Sequence, residues 1–337
     1  MLTSHKPDSA VVPLVVIPCL NEARHIVGVV ELMAAQIRPI GGRVVVVDGG
    51  STDGSRAMVM ELVRTRSEVV LLDNPARLQS VGLNAAVAAY GNGHTHLIRV
   101  DAHCAYPDDF VATLLDEAAL TGAAAVVVGM VAEGEALMQR INASTQNARI
   151  GNGGSKHRNK SGGAYVAHGH HALIRIDAFL DVGGYDPAFS HNEDAELDYR
   201  LTAAGHRIWL TGRTHVTYFP RPGAFGLARQ YFNHGRGRAR TLRKHRTAAN
   251  RRQLLVIGVA PALVMSALAP VSLVFALPAL VWATAAIAGG LSVAIAERSL
   301  ILAVSGLIAM LMHLSWSVGF WTHMLRPLGM GSNEVTT

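Results

Sequence analysis

Four short runs of β-branched and aliphatic residues mark the first hundred positions: Val11–Pro18, Arg43–Val47, Glu68–Leu72 and His96–Val100. Each has strand length. Between them, Glu22–Gln36, Ser55–Arg64 and Gln79–Ala89 space their apolar residues as helices do. Strands alternating with helices predict an α/β domain with a mainly parallel sheet. Ligands of such sheets bind beyond the C-terminal strand ends. Polar residues gather at those ends: Asn21 and Glu22 after the first run, Asp48 after the second, Asp101 and His103 after the fourth. Neither GxGxxG nor GxxxxGK[ST] follows any of these strands, which disfavours a dinucleotide dehydrogenase and a P-loop NTPase.

The pattern changes after Gln253. From Leu254 to Leu325, 72 residues carry only Glu297 and Arg298 as formal charges. A bilayer crossing takes about 20 apolar residues. Leu254–Ala296 therefore reads as about two spans, with Pro261, Pro270 and Pro278 as breaks or kinks, and Ser299–Leu325 as a third. A buried helical core would need amphipathic faces, which these segments hardly show. Val11–Leu20 is different: short, interrupted by Pro13 and Pro18, and without a signal-peptide cleavage pattern, it reads as a buried strand.

Charge sharpens this division. The chain has 30 Lys/Arg against 24 Asp/Glu, yet ten of the basic residues lie between Arg221 and Arg252 with no acid among them. Residues 1–220 carry 18 basic and 22 acidic side chains, which excludes a generic nucleic-acid binder. The positive-inside rule keeps Arg243, Lys244, His245, Arg246, Arg251 and Arg252 cytoplasmic, and the preceding residues with them. The same stripe is drawn to anionic lipid headgroups. The expected organisation is a cytosolic domain over residues 1–220, a basic juxtamembrane segment over 221–253, about three transmembrane helices over 254–325, and a tail over 326–337. Two cysteines, Cys19 and Cys104, exclude a disulfide scaffold and point to a reducing compartment.

Three segments offer chemistry. In the glycine-rich loop Asp48–Ser55, Asp53 reads as a helix cap, whereas Asp48 ends four valines and would reach the crevice, where it can accept from a nucleobase N–H. Asp101 and His103, two apart on extended backbone, face one side and can share an ion. A divalent ion beside a diphosphate offsets leaving-group charge. Ser190 and Glu193 fit a capping box, but the four acids between Glu193 and Asp198 exceed what capping requires, and one at a cleft can act as a general base. Gly151–Gly163, with Lys156, His157, Arg158 and Lys160, reads either as a surface loop or as a flap that closes over donor phosphates.

Taken in order, Val16–Glu22, Val47–Ser55, Asp101-Ala102-His103 and Glu193-Asp194 resemble the motifs of the family 2 inverting glycosyltransferases, which have the Rossmann-like GT-A fold. The likeness spans roughly residues 11–245. More narrowly, Gly151–Ser155, Gly183–Asp186, and Gln230-Tyr231-Phe232 leading into Gly235–Arg238 resemble the succinoglycan-type exopolysaccharide glucosyltransferase branch. The resemblance implies that Pro18 and Glu22 line a nucleotide pocket, Asp48 contacts the base, and Arg77 approaches a phosphate. Asp101 would face ribose and metal, Mn²⁺ or Mg²⁺, with His103 as second ligand, and Asp194 would be the base. Glu193, Gln230 and Arg236 would meet acceptor or diphosphate. Arg229 and Arg238 belong to the same set, or to the membrane surface.

His103 stands where the family usually has a second acid, which lowers metal affinity and makes it pH-dependent. The QxxRW motif of processive enzymes is missing, since Tyr231, Phe232, Asn233 and His234 follow Gln230; this favours single-sugar transfer. The implied enzyme is an inner-membrane, multi-pass hexosyltransferase with a cytoplasmic catalytic domain. It would move one sugar, glucose from UDP-glucose, onto a lipid-linked saccharide for exopolysaccharide or cell-surface glycan, alongside exopolysaccharide assembly proteins. Two alternatives stand beside it: transfer directly to polyprenyl phosphate, and a noncatalytic sugar-nucleotide-binding regulator of glycan export.

Overall fold

The four apolar runs become β1 (Pro13–Cys19), β2 (Arg43–Asp48), β3 (Val69–Asp73) and β4 (His96–Arg99) in a computed structural model that describes residues 11–154 and 163–326. The helices between them are α1 (Ile26–Ile37), α2 (Ser55–Thr65) and α3 (Gln79–Tyr90). There follow β5 (Cys104–Ala105), α4 (Phe110–Thr121), β6 (Ala125–Ala132), α5 (Leu137–Asn147), α6 (Arg149–Asn152), β7 (Ala164–Val166), β8 (His170–Arg175), α7 (Ile176–Asp181), α8 (Glu193–Ala203) and β9 (Ile208–Tyr218). Helices α9 (Ala224–His245), α10 (Arg251–Ile257), α11 (Val259–Ser266), α12 (Leu277–Ala296) and α13 (Ser305–Met324) complete the chain.

The sheet runs β3-β2-β1-β4-β8-β6-β9-β5, with β7 on β9. Its first four strands are parallel. The valines of β1 and β2 are buried on both faces, which is why those strands read as continuous apolar runs. Beyond β4 the sheet turns antiparallel through β8 and β6. The expected mainly parallel sheet is therefore present, extended by strands from the middle of the chain.

The chain packs as two units. The first holds the described chain up to Gly129, the described part of Gly162–Pro187, and Leu197–Val216. Its core joins Leu14, Val45 and Leu97 of the parallel strands to Leu83, Phe179 and Leu201. Each such side chain contributes about 1.5–3 kcal/mol when fully buried.

The second unit takes the described residues of Met130–Ser161, Ala188–Glu196, and the described residues from Thr217 onward. It thus draws α5 and the start of α8 into one body with the apolar C-terminal helices. Among the described residues two helical segments, Leu273–Ala296 and Leu300–Met324, are long and apolar enough to cross a membrane by length and composition. The segment from Leu254, expected as a further span, is divided at Gly258 into α10 and α11, of seven and eight residues. Pro261 and Pro278 lie in the first turns of α11 and α12, where a missing N–H costs least.

Helices α9 and α13 meet backbone to backbone. A Cβ on Gly235 would stand 2.0 Å from the Trp316 carbonyl oxygen, and one on Gly319 would stand 2.0 Å from that of Phe232. Gly235→Ala must push the helices apart, at an expected cost of about 1–3 kcal/mol. The thermal midpoint of the detergent-purified protein checks this, and an unchanged midpoint would contradict it.

Candidate functional site

Strands β1 and β2 end side by side, with Cys19 opposite Asp48. The loops that leave them are tied together. The Ser51 hydroxyl accepts the Asn21 N–H at 2.9 Å, that of Ser55 accepts the Glu22 N–H at 2.8 Å, and Asp53 accepts the Ala23 N–H at 2.9 Å. In return the Asn21 side-chain oxygen accepts the Thr52 N–H at 2.8 Å. Asn21 holds φ at +59°, a left-handed conformation that asparagine tolerates better than most residues. Asp53 also accepts the Ser55 N–H at 3.0 Å, so its polar groups are consumed in shaping the loop, and the cap of α2 falls on Gly54 rather than on Asp53 as expected.

Asp48 is 2% exposed. It accepts from the N–H groups of Gly50 and Ser51 at 3.3 and 3.2 Å, and from the Arg56 guanidinium at 3.1 Å. Burial alone would raise its pKa, but the bonds from Ser51, Arg56 and Gly50 outweigh burial and hold it below the usual carboxylate range. The carboxylate is ionised and fixes the turn that edges the cleft.

That cleft, of about 170 Å³, lies where the strand-end reading put it. Pro18, Glu22, Arg77, Asp101 and His103 line it, with Val47 and Gly49 from the β2 end and Asn74 and Gln79 from around α3. Five of the expected donor-site residues are thus brought together. Cys19 also lines it, but burial pushes its thiol up to about 11, so it stays protonated and is no nucleophile.

Asp101 is the electrostatic centre. Gln79 donates to it at 3.1 Å, Arg99 stands at 3.5 Å, and His170 at 3.7 Å. Its backbone is clamped by Tyr106, whose hydroxyl accepts the Asp101 N–H at 2.7 Å and donates to the Asp101 carbonyl at 3.1 Å. Burial would raise the carboxyl; Arg99, His170 and His103 overcome it and hold the group at about 2. It is therefore fully ionised at neutral pH.

His103 lies on the same cleft as Asp101 and adds to the field that keeps it ionised. Its Nδ1 stands 3.1 Å from a Glu22 carboxylate oxygen. Among the described residues no three His, Cys, Asp or Glu side chains form a metal cage. An ionised carboxylate and an imidazole on one cleft nonetheless fit a divalent ion of the kind that takes one or two protein ligands and completes its shell with substrate phosphates and water.

The remaining expected residues lie in the second unit. Glu193 and Asp194 open α8, where acids suit the helix dipole. The first helical bond runs from the Glu196 N–H to the Asn192 carbonyl at 3.2 Å, so the helix begins two residues later than a cap at Ser190 would place it. The Ser190 hydroxyl meets His191 at 3.1 Å instead. Glu196 is fully buried against Lys244 at 2.5 Å and His245 at 2.9 Å. Gln230 donates to the Tyr218 hydroxyl at 3.1 Å, and Arg236 lies 5.9 Å from the Phe232 ring centre. Of the glycine-rich segment, Gly153 and Gly154 accept from Arg252 through their carbonyls at 3.3 and 2.9 Å, while Lys156, His157, Arg158 and Lys160 lie outside the described residues.

Sequence reasoning missed Gln79, Arg99 and His170 around Asp101, and a second cluster behind them. Asp198, 1% exposed, is held by His171 at 2.5 Å, His168 at 2.6 Å and the Gly169 N–H at 3.2 Å. The doublet His170-His171 on an apolar strand was the available signal. Alternation along β8 sends one imidazole to Asp101 and the next to Asp198.

Comparison with known proteins matches residues 14–183 to the family described as glycosyl transferase family 2. The chain is 48% identical over 312 residues to the succinoglycan biosynthesis protein ExoA of Rhizobium meliloti (strain 1021), covering 93% of this chain and 94% of that one. Among solved structures it superposes on the mannosyltransferase PcManGT from Pyrobaculum calidifontis, a complex with GDP-Man and Mn²⁺. The TM-score is 0.58 at 16% identity, over 92% of this chain and 87% of that one, a likeness of fold.

Proposed function

Because the chain belongs to glycosyl transferase family 2 and is a glycosyltransferase of GT-A fold, we propose that it moves one glucose from UDP-glucose onto a lipid-linked saccharide during exopolysaccharide synthesis. The observation that carries this reading is the ionised Asp101, ringed by Gln79, Arg99 and His170, in a cleft at the strand ends. The named role of the 48% identical relative supports exopolysaccharide as the product class. The apolar C-terminal helices support attachment to the inner membrane, with the catalytic unit on the cytoplasmic side where sugar nucleotides reside.

Pro18 and Glu22 line the nucleotide side of the cleft, with the turn fixed by Asp48 beside the base. Arg77 offers a cation to the donor phosphates. Asp101 and His103 would hold a divalent ion, Mn²⁺ or Mg²⁺, which when bound offsets charge on the departing diphosphate. Asp194 takes the proton from the acceptor hydroxyl as that oxygen attacks the anomeric carbon opposite the diphosphate. One displacement inverts the centre, so an α-linked donor gives a β-glycoside. Glu193, Gln230 and Arg236 serve the acceptor side.

Gln79 orients the carboxylate that would bind the ion. Gln79→Ala is therefore expected to weaken Mn²⁺ binding about 10–100-fold, read by the electron paramagnetic resonance signal of free Mn²⁺. An unchanged affinity would contradict this role. The acceptor is tested by giving the protein radiolabelled UDP-glucose with a lipid-linked saccharide fraction or with polyprenyl phosphate. Label in a β-glycoside on the saccharide is the expected result. Label only on polyprenyl phosphate would replace this reading with direct transfer to the lipid carrier.

A further inference from the structure

In the second unit, polar helices accompany α13 from its start to its end. The start of α13, with Leu302 from the turn before it, shares a cluster with Leu227 of α9 and Ile141 of α5 through Ile308 and Met312. Midway, His313 donates to the Ile150 carbonyl at 2.9 Å. At its end, Arg243 of α9 donates to the carbonyls of His323 and Arg326 at 3.3 and 2.9 Å. The turn between α12 and α13 is held too, since the Ser144 hydroxyl of α5 donates to Glu297 at 2.9 Å.

A helix pair standing upright in a bilayer would carry that turn across about 30 Å of hydrocarbon. Helices α5 and α9 would have to go with it. Yet α9 bears Arg229, Arg236, Arg238, Arg240 and Arg243 along the stretch that accompanies α13. Charged side chains are costly at that depth even when paired, and five on one helix hold it near the headgroups, where water reaches.

The opposite side of the same layer is apolar and open. Leu277, Leu280, Val281, Leu291 and Ile295 are at least half exposed, which extends the open face from one end of α12 to the other. Leu254 and Leu255 of α10 are exposed as well. Arg246, Arg251 and Arg252 are exposed immediately before those leucines, so an apolar face is bordered by positive charge. A continuous exposed face of this kind marks an interaction surface, and its basic border complements anionic lipid headgroups.

We propose that α10–α13 lie in the plane of one leaflet, with the open face of α12 among the acyl chains, and that neither α12 nor α13 crosses the membrane. A helix seated at the interface needs a polar side opposite its apolar one. Helix α12 has none of its own. Its inner side, with Ala279, Ala286, Gly290, Val293 and Ala294, is buried within the unit, Gly290 directly against Gly306 of α13. Helices α5 and α9 supply the polar surface beyond α13. Both ends of α12 then remain on the side of the catalytic unit. This inference rests on the membrane attachment proposed above and specifies its geometry.

Arg298 is exposed in the turn that decides the matter, and Ser67 is exposed in the first unit. The native Cys19 and Cys104 are buried. The full chain carrying Arg298→Cys is expressed alongside Ser67→Cys as reference, and inside-out and right-side-out vesicles are treated with a membrane-impermeant maleimide. Arg298 holds a left-handed φ of +52°, so Ser299→Cys, retaining donor turnover, serves as a second placement. The expected result is labelling of both turn variants in the same vesicle orientation as Ser67→Cys. Labelling in the opposite orientation means that the helices cross and overturns the proposal. Labelling in neither orientation, restored by detergent, means that the turn is embedded or covered, and also overturns it. Failure of membrane attachment itself is read separately: the Ser67→Cys protein would then leave the vesicle pellet in a high-salt wash.

Discussion

Asp194→Asn is expected to lower the rate of sugar transfer about 10²–10⁴-fold, the range that a positioned general base supplies, while leaving donor affinity within a few-fold of the unsubstituted protein. Of the four acids between Glu193 and Asp198, Glu196 is buried against Lys244 and His245, and Asp198 against His168 and His171. Those two carboxylates are engaged in holding the fold. Glu193 is 8% exposed, whereas Asp194 is half-buried at the first turn of α8. Steady-state rates at saturating donor and varied acceptor check the prediction. A rate within threefold of the unsubstituted protein would remove Asp194 from the mechanism, and would favour an acceptor that is already anionic and needs no base.

The second large effect concerns stability. Asp198→Ala is expected to cost about 3–5 kcal/mol, because removing one partner of a buried charged pair leaves the other uncompensated. Burial would raise the Asp198 carboxyl, but His171 and His168 override burial and hold it well below the usual carboxylate range. A carboxyl depressed on folding stabilises the native state above its unfolded pKa of about 3.9, and that contribution is lost as pH falls through the folded value. The unsubstituted protein is therefore expected to lose stability progressively below about pH 4, and Asp198→Asn, less disruptive in shape, to lose it less steeply. Thermal midpoints between pH 3 and pH 7 measure both. Equal slopes for the two proteins would show that the cluster carries no linked stability.

The pairing cluster also shows why part of the site was hidden in the sequence. Pro18, Glu22, Asp48 and Asp101 were legible because each lies at or just beyond the end of a strand whose apolar run announces that end, and strand ends of parallel sheets converge. Arg77 and His103 lie within a few residues of such ends. The groups that tune Asp101 have no such marker. His170 arrives on β8, which joins β4 antiparallel from some seventy residues further along. Only that pairing reveals that its imidazole faces Asp101. Gln79 looked like an ordinary first-turn residue of α3. The pairing of His103 with Glu22 was equally unforeseeable, since the i,i+2 rule fixes which face a side chain occupies and not which partner it finds there.

The C-terminal helices teach the same lesson at a larger scale. Composition alone gave a long apolar stretch interrupted at Pro261, Pro270 and Pro278, and those interruptions lie at or beside helix starts and turns. It could not show that Gly235 and Gly319 let α9 and α13 approach to backbone contact. A basic helix next to an apolar one reads, along the chain, as a juxtamembrane stripe followed by spans. In the fold the two run together.

The most direct test of the account is metal-dependent turnover of a sugar nucleotide. The full chain, purified in detergent, is given UDP- and GDP-sugars one at a time with Mn²⁺, Mg²⁺ or EDTA, with and without a lipid-linked saccharide fraction. Release of UDP from UDP-glucose is expected, abolished by EDTA, raised by the lipid-linked saccharide and lost in Asp194→Asn. Tight nucleotide binding without turnover, unchanged by that substitution, would contradict it.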